Sequence, residues 1–123
     1  MIDHVTLQVS DVAASRRFYA AVLEPLGVTV EGSGDEWVGF MGSAGGSFWL
    51  IPAERPGDRE LHIAFGAPDR EHVRAFHRAA VGIGAEILHQ PRIFPEYHDA
   101  YYGTFVRDPD GHNVEAVCHT PED

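Results

Sequence analysis

The chain has 123 residues and carries 19 acidic against 9 basic side chains, a net charge of −10 with histidine neutral. That balance argues against nucleic acid, which requires a basic footprint, and against an anionic membrane surface. At 44% hydrophobic, with 13 Gly and 8 Pro, the composition is that of one compact, turn-rich domain, and no run approaches the roughly 18 apolar residues of a membrane helix.

From the N-terminus, MIDHVTLQV enters a strand pattern at once, so no secretory leader is expected. Residues 3 to 9 alternate. Val5, Leu7 and Val9 take one face for a helix to cover, while His4, Thr6 and Gln8 take a face polar enough to line a cavity. Asp11 offers an N-cap. Phe18, Tyr19, Val22, Leu23 and Leu26 then recur at helical spacing, and Gly27 suits the stop. Three further strands are expected around Val28 to Glu31, Glu36 to Met41 and Ser47 to Ile51, with GSGD and GSAGG as turns. Residues 52 to 60, PAERPGDRE, read as a linker between a first module of about 1–54 and a second of about 61–123.

The second module restarts with the strand LHIAF. Pro68 and Asp69 open a helix carrying Val73, Phe76 and Ala80, which ends near Gly82 or Gly84. AEILHQ reads as a strand, QPRIFPEYHDAYYG as an aromatic loop, and TFVRDPDGHNVEAVCH as a hairpin around DPDG. RDPDG lacks the length and downstream glutamate of a calcium loop. Strand, helix and three strands thus occur twice, which places the fold in the α+β class. Cys118 is the only cysteine. It excludes an internal disulfide, and a reducing cytoplasm is the expected location.

A concealed repeat ties the halves together. Shifted by 58 positions, HVTLQVSDVAASRRFYAA lies on HIAFGAPDREHVRAFHRA without a gap, matching His4 with His62, Asp11 with Asp69, Arg16 with Arg74 and Phe18 with Phe76. Each histidine opens an equivalent strand, and Glu115 falls on the closing strand of the second copy. Two imidazoles and one carboxylate are a common ligand set for a divalent transition metal with open positions. A carboxylate inside the apolar run NVEAV is costly unless paired or bound to a metal. The plainer reading is a frayed His4, a core His62 and an edge charge at Glu115.

A paired βαβββ arrangement with DHVTLQVSD at its start and RDPDGHNVEAV at its end resembles the vicinal oxygen chelate superfamily of glyoxalases, bleomycin-resistance proteins and extradiol dioxygenases. The resemblance implies two tandem modules forming a cup-shaped mixed sheet. It also implies metal ligands at His4, His62 and Glu115, with Fe, Mn, Zn, Ni or Co as the divalent ion. The carboxylate that glyoxalase I carries on the strand closing the first module has no counterpart here. Trp49 or Leu50 stands there, depending on one gap, so the set has two histidines and one carboxylate.

In the aromatic loop, His98, Tyr101 and Tyr102 are candidates for a general base and phenolic donors; equally, the loop can pack as a lid. Thr6 shares the face of His4, and Trp49 is a candidate wall against a flat substrate or a core residue. The remaining histidines, His72, His77, His89, His112 and His119, read mostly as solvated surface. The leading expectation is a metal-dependent lyase, isomerase or dioxygenase acting on a small oxygenated molecule by bidentate chelation. Phosphonate substrates are disfavoured, since only Arg92 and Arg107 lie near the expected site loops. The alternative is a metal-free binding protein of the bleomycin-resistance kind, which would take a cationic drug in an acidic, aromatic groove. A homodimer is expected, because open sheets leave edges and apolar surface to cover. Two arrangements of the site then stand open, within one chain or shared across the dimer.

Overall fold

A computed structural model describes residues 2–54 and 60–121 of the chain. The first half runs β1 (His4–Val9), α1 (Val12–Leu23), β2 (Val28–Gly34), β3 (Trp37–Gly42) and β4 (Ser47–Pro52). The second runs β5 (His62–Gly66), α2 (Arg70–Gly82), β6 (Ile87–Ile93), β7 (Tyr102–Arg107) and β8 (Asn113–Cys118). They build two four-stranded mixed sheets, ordered β1-β4-β3-β2 and β5-β8-β7-β6. In each, the first strand pairs in parallel with the last and the other pairs are antiparallel. The α+β class read from the sequence is the class of the fold. Most of the expected linker, residues 55–59, lies outside the described residues. No helix among the described residues is long and apolar enough to cross a membrane.

Local chemistry accounts for the helix boundaries. Asp11 accepts the backbone N–H of Ala14 at 3.1 Å and Asp69 that of His72 at 2.9 Å, each satisfying a donor the first turn leaves orphaned. α1 passes into a 3₁₀ turn over Glu24–Leu26 and stops at Gly27, whose φ of 77° is accessible to glycine at no steric cost. α1 buries Phe18, Tyr19, Val22 and Leu23; α2 buries Val73, Phe76 and Ala80.

One core serves both halves. It gathers Leu7, Val9, Phe40, Phe48 and Leu50 from the first sheet with Val106, Val114 and Ala116 from the second, around both helices. Each fully buried aliphatic side chain here contributes about 1.5–3 kcal/mol. Phe48 is the hinge of this packing, edge-on to Tyr19 at 4.9 Å and to Phe65 of β5 at 5.4 Å. The Tyr19 hydroxyl donates to Asp108 at 2.6 Å, joining α1 to the turn between β7 and β8. Burial pushes the Tyr19 phenol up from its ordinary range, and the neighbouring Asp108 carboxylate pushes it further.

Alternation then fixes what is left over. Leu7 and Val9 face the core, so His4, Thr6 and Gln8 lie on the opposite, open side of the first sheet. Val114 and Ala116 face the core, so Asn113, Glu115 and Val117 lie on the open side of the second. β2 departs from expectation by continuing through Gly32, Ser33 and Gly34, so that Asp35 and Glu36 form the turn. The indole of Trp37 lies across Gly34, where a Cβ would overlap it, and would stand 3.3 Å from a Cβ at Gly32.

Candidate functional site

Glu115 is 1% exposed, the largest buried charged side chain on the second sheet. It stands in the middle of β8 beside Ala64 of β5 and Phe105 of β7. Both of its oxygens are engaged. Oε1 lies 3.0 Å from His62 Nε2, and Oε2 accepts the Tyr101 hydroxyl in a short hydrogen bond. The room for this comes from Gly103, where a Cβ would stand 3.3 Å from Oε2. The His62 ring stacks on Phe105 at 5.9 Å, and its side chain is 50% exposed.

The two imidazoles are oriented alike. His62 Nδ1 lies 3.2 Å from the Asn113 carbonyl, and His4 Nδ1 lies 2.8 Å from Asp3 Oδ1. An acceptor on Nδ1 holds the proton of a neutral ring there and leaves Nε2 as a lone-pair donor, the outer-shell arrangement of metal-binding histidines. Two ligands about 2.1 Å from one ion at a right angle stand about 3.0 Å apart. The His62–Glu115 separation therefore fits neighbouring corners of one coordination sphere, as well as an imidazolium–carboxylate pair.

His4 is not brought to them. It sits on the open side of the other sheet, and among the described residues no group of three His, Cys, Asp or Glu side chains is gathered within one chain. Both sheets turn their helix-facing sides to a single core.

The loop candidates separate by parity. Tyr101 shares the side of Gly103, Phe105 and Glu115 and touches the carboxylate. Its phenol is held well above its ordinary range, by burial first and by the Glu115 hydrogen bond second, so it stays a donor. Tyr102, one residue on, faces away. Its hydroxyl accepts from Arg74 at 3.3 Å and its ring lies 5.1 Å from the Arg70 guanidinium, apart from Glu115. His98 flanks the Tyr101 ring at 5.4 Å, and its Nε2 lies 2.8 Å from His119 Nδ1. It reaches Glu115 only through Tyr101.

On the first sheet, Thr6 pairs in register with Trp49, and Trp49 lies across Gly39. Register also settles which residue replaces the missing carboxylate. His4 is opposite Ser47 as His62 is opposite Asn113, so two residues further on Trp49 occupies the place of Glu115. Leu50 faces the core.

Sequence reasoning missed several members. Trp37, 42% exposed and 6.0 Å from Trp49, shares the open side, a relation the alternation in WVGFM could have shown. His119, read as a solvated tail, stacks on His98 at 5.1 Å. His112 is buried and accepts the Leu61 N–H at 3.0 Å, tying the start of β5 to the β7–β8 turn. No local signal marks those two contacts, which join residues far apart in the chain.

Comparison with known proteins places this architecture. A glyoxalase/bleomycin resistance protein from Albidiferax ferrireducens T118 superposes with a TM-score of 0.82 at 25% identity, covering 96% of this chain and 98% of that one. A lactoylglutathione lyase from Agrobacterium tumefaciens (TM-score 0.73, 20% identity, 96% and 92% covered) shares the fold. So does a glyoxylase/bleomycin resistance protein/dioxygenase domain from Frankia sp. EAN1pec (TM-score 0.74, 21% identity, 96% and 90% covered). No curated protein matches the sequence. With residues 1–116 matched by the family model, the chain belongs to the Glyoxalase/Bleomycin resistance protein/Dioxygenase superfamily.

Proposed function

We propose that this chain is a metal-dependent enzyme of the superfamily, a lyase, isomerase or dioxygenase acting on a small oxygenated substrate. The divalent ion, one of Fe, Mn, Zn, Ni or Co, would be held by His62 and Glu115 of one subunit and His4 of a second copy. The observation that carries this reading is the buried Glu115 carboxylate facing a His62 Nε2 whose other nitrogen is already directed at a backbone carbonyl. Sharing between copies is supported by the first sheet, whose open side its own chain leaves exposed at Trp37 and Met41.

A divalent ion bound there supplies Lewis acidity toward two neighbouring substrate oxygens. The chain's own residues do the rest. Tyr101 pins Oε2, so Glu115 presents Oε1 toward His62 in one orientation, and Asn113 fixes the His62 ring. Phe105 backs the imidazole with an apolar surface. The raised Tyr101 phenol keeps its proton and steadies the carboxylate's charge. Thr6, exposed on the face of His4, would meet the substrate from the other copy.

The Trp37–Trp49 surface favours one second reading, a metal-free binding protein that captures flat or cationic molecules. Metal content separates the two. Mass-spectrometric analysis of untagged protein should give near one ion per chain, lost in Glu115→Ala. Mixing His4→Ala with Glu115→Ala subunits should restore about one quarter of the wild-type sites, because half the dimers then hold one complete set. Wild-type protein without metal after reconstitution would refute the enzyme; failed complementation would refute the shared site.

A further inference from the structure

On the helix side of the molecule lies a cavity of about 560 Å³ that shares no residue with the Glu115 group. It runs along the seam between the halves. Ala14, Arg17 and Phe18 of α1 form one wall, and residues 83–86, between α2 and β6, form the other, over Arg107, Asp108 and Pro109. Positions 14, 17 and 18 fall on one helical stripe, so α1 presents a guanidinium beside an apolar surface there. Ile83 stands across the gap, an isoleucine left 46% exposed.

The charges around this cavity are answered from within the chain, except one. Asp108 is buried and accepts the Tyr19 hydroxyl at 2.6 Å and the N–H groups of Asp110 and His112, both at 2.9 Å. Arg107 is held by Glu60 at 2.5 Å and by the Gly111 carbonyl at 2.6 Å, with Glu86 at 3.7 Å. Arg17 meets no acceptor among the described residues, in a chain whose 19 acidic side chains outnumber 9 basic ones. One guanidinium is thus left unanswered on the wall of a partly apolar cavity.

We infer that this cavity binds a small monocarboxylate with an apolar body, the carboxylate on Arg17 and the body between Phe18 and Ile83. Its volume falls within the roughly 300–1,000 Å³ of small-molecule sites. A guanidinium offers a carboxylate two parallel N–H donors, which a compact ammonium does not. A monoanion is favoured over a phosphate, because Glu86 and Asp108 also line the cavity and repel a second negative charge. The walls come from different halves, so an occupant ties α1 to the second module and stabilises the folded chain. Neither wall contributes a group to the proposed metal site, and binding here does not depend on metal.

The protein as purified would be titrated by calorimetry with naphthalene-2-acetate and with its neutral amide. One molecule of the acid should bind per chain, and the amide should bind at least about tenfold more weakly. Arg17→Ala, at an exposed position, should lower affinity for the acid about tenfold, and Arg17→Lys by less, because lysine keeps the charge without the fork. Ile83→Asp should weaken binding as well, by setting a carboxylate in the apolar wall. Glu115→Ala should bind the acid as wild type does, which separates this cavity from the metal-binding group. Equal affinity for acid and amide, or an affinity that Arg17→Ala leaves unchanged, would overturn the inference. So would the absence of saturable binding at about 10 mM ligand, where even a millimolar site fills.

Discussion

The two halves share strand order, helix caps and register, yet their open faces carry opposite chemistry. The second sheet encloses a carboxylate between an imidazole and a phenol, while the first spreads two indoles over glycine backbone. Duplication constrains the core sides, because Phe48, Phe65, Val114 and the helices must still interlock. The open sides carry no such constraint. What differs between two copies of one unit is therefore the better guide to function, and what they share is the better guide to stability.

The comparison breaks most completely at Glu115. Replacing it with Ala removes the only carboxylate on the open side of β8 and should lower metal affinity more than about 100-fold, read as ion content after dialysis. The opposite change is Trp49→Glu, which makes the first sheet imitate the second. It should tighten metal binding about tenfold by adding a carboxylate from the other copy. Unchanged affinity in that variant would mean that β4 does not reach the ion.

How much of this could be read from residue order alone depends on range. The His4–His62 match, the helix caps and the apolar alternation are local patterns repeated at a fixed offset, and sequence carries them directly. The side on which Tyr101 and Tyr102 fall depends on where β7 begins, a one-residue question that propensity does not answer. The Trp49-or-Leu50 ambiguity was of the same kind, and pairing of β4 with β1 removed it. The glycine-backed indoles were legible only in part. The glycines of GSGD looked like a turn, because a strand in which glycine serves as a bed for an aromatic ring has the composition of a loop.

A smaller effect concerns the contact that holds the halves together. Tyr19→Phe leaves the buried Asp108 carboxylate without its hydroxyl donor and should cost about 1–3 kcal/mol in urea denaturation. The pH dependence has a definite sign. The phenol ionises near 10 in an unfolded chain and higher in the folded one, so the stabilisation is intact below about 10 and falls as pH rises beyond it. Wild type should lose stability above that pH more steeply than Tyr19→Phe.

The smallest effect sharpens the comparison at the helix caps. Asp11 and Asp69 are equivalent, but the third residue after them is Ala14 in one half and His72 in the other. His72 adds a side-chain contact to Asp69 at 2.6 Å beyond the shared backbone bond, and that contact first, the backbone bond second, lowers the Asp69 carboxyl below its ordinary range. A depressed carboxyl stabilises above its unfolded value, near 3.9, and the gain disappears as pH falls through the folded value. At pH 7, Asp69→Ala should therefore lower the melting temperature by about one to two degrees more than Asp11→Ala, the pair being exposed and screened. Once the pH lies below that folded value the two variants should converge, because protonation removes what only Asp69 has. A difference that survived at low pH would assign the excess to packing of the His72 ring instead of its contact with the carboxylate.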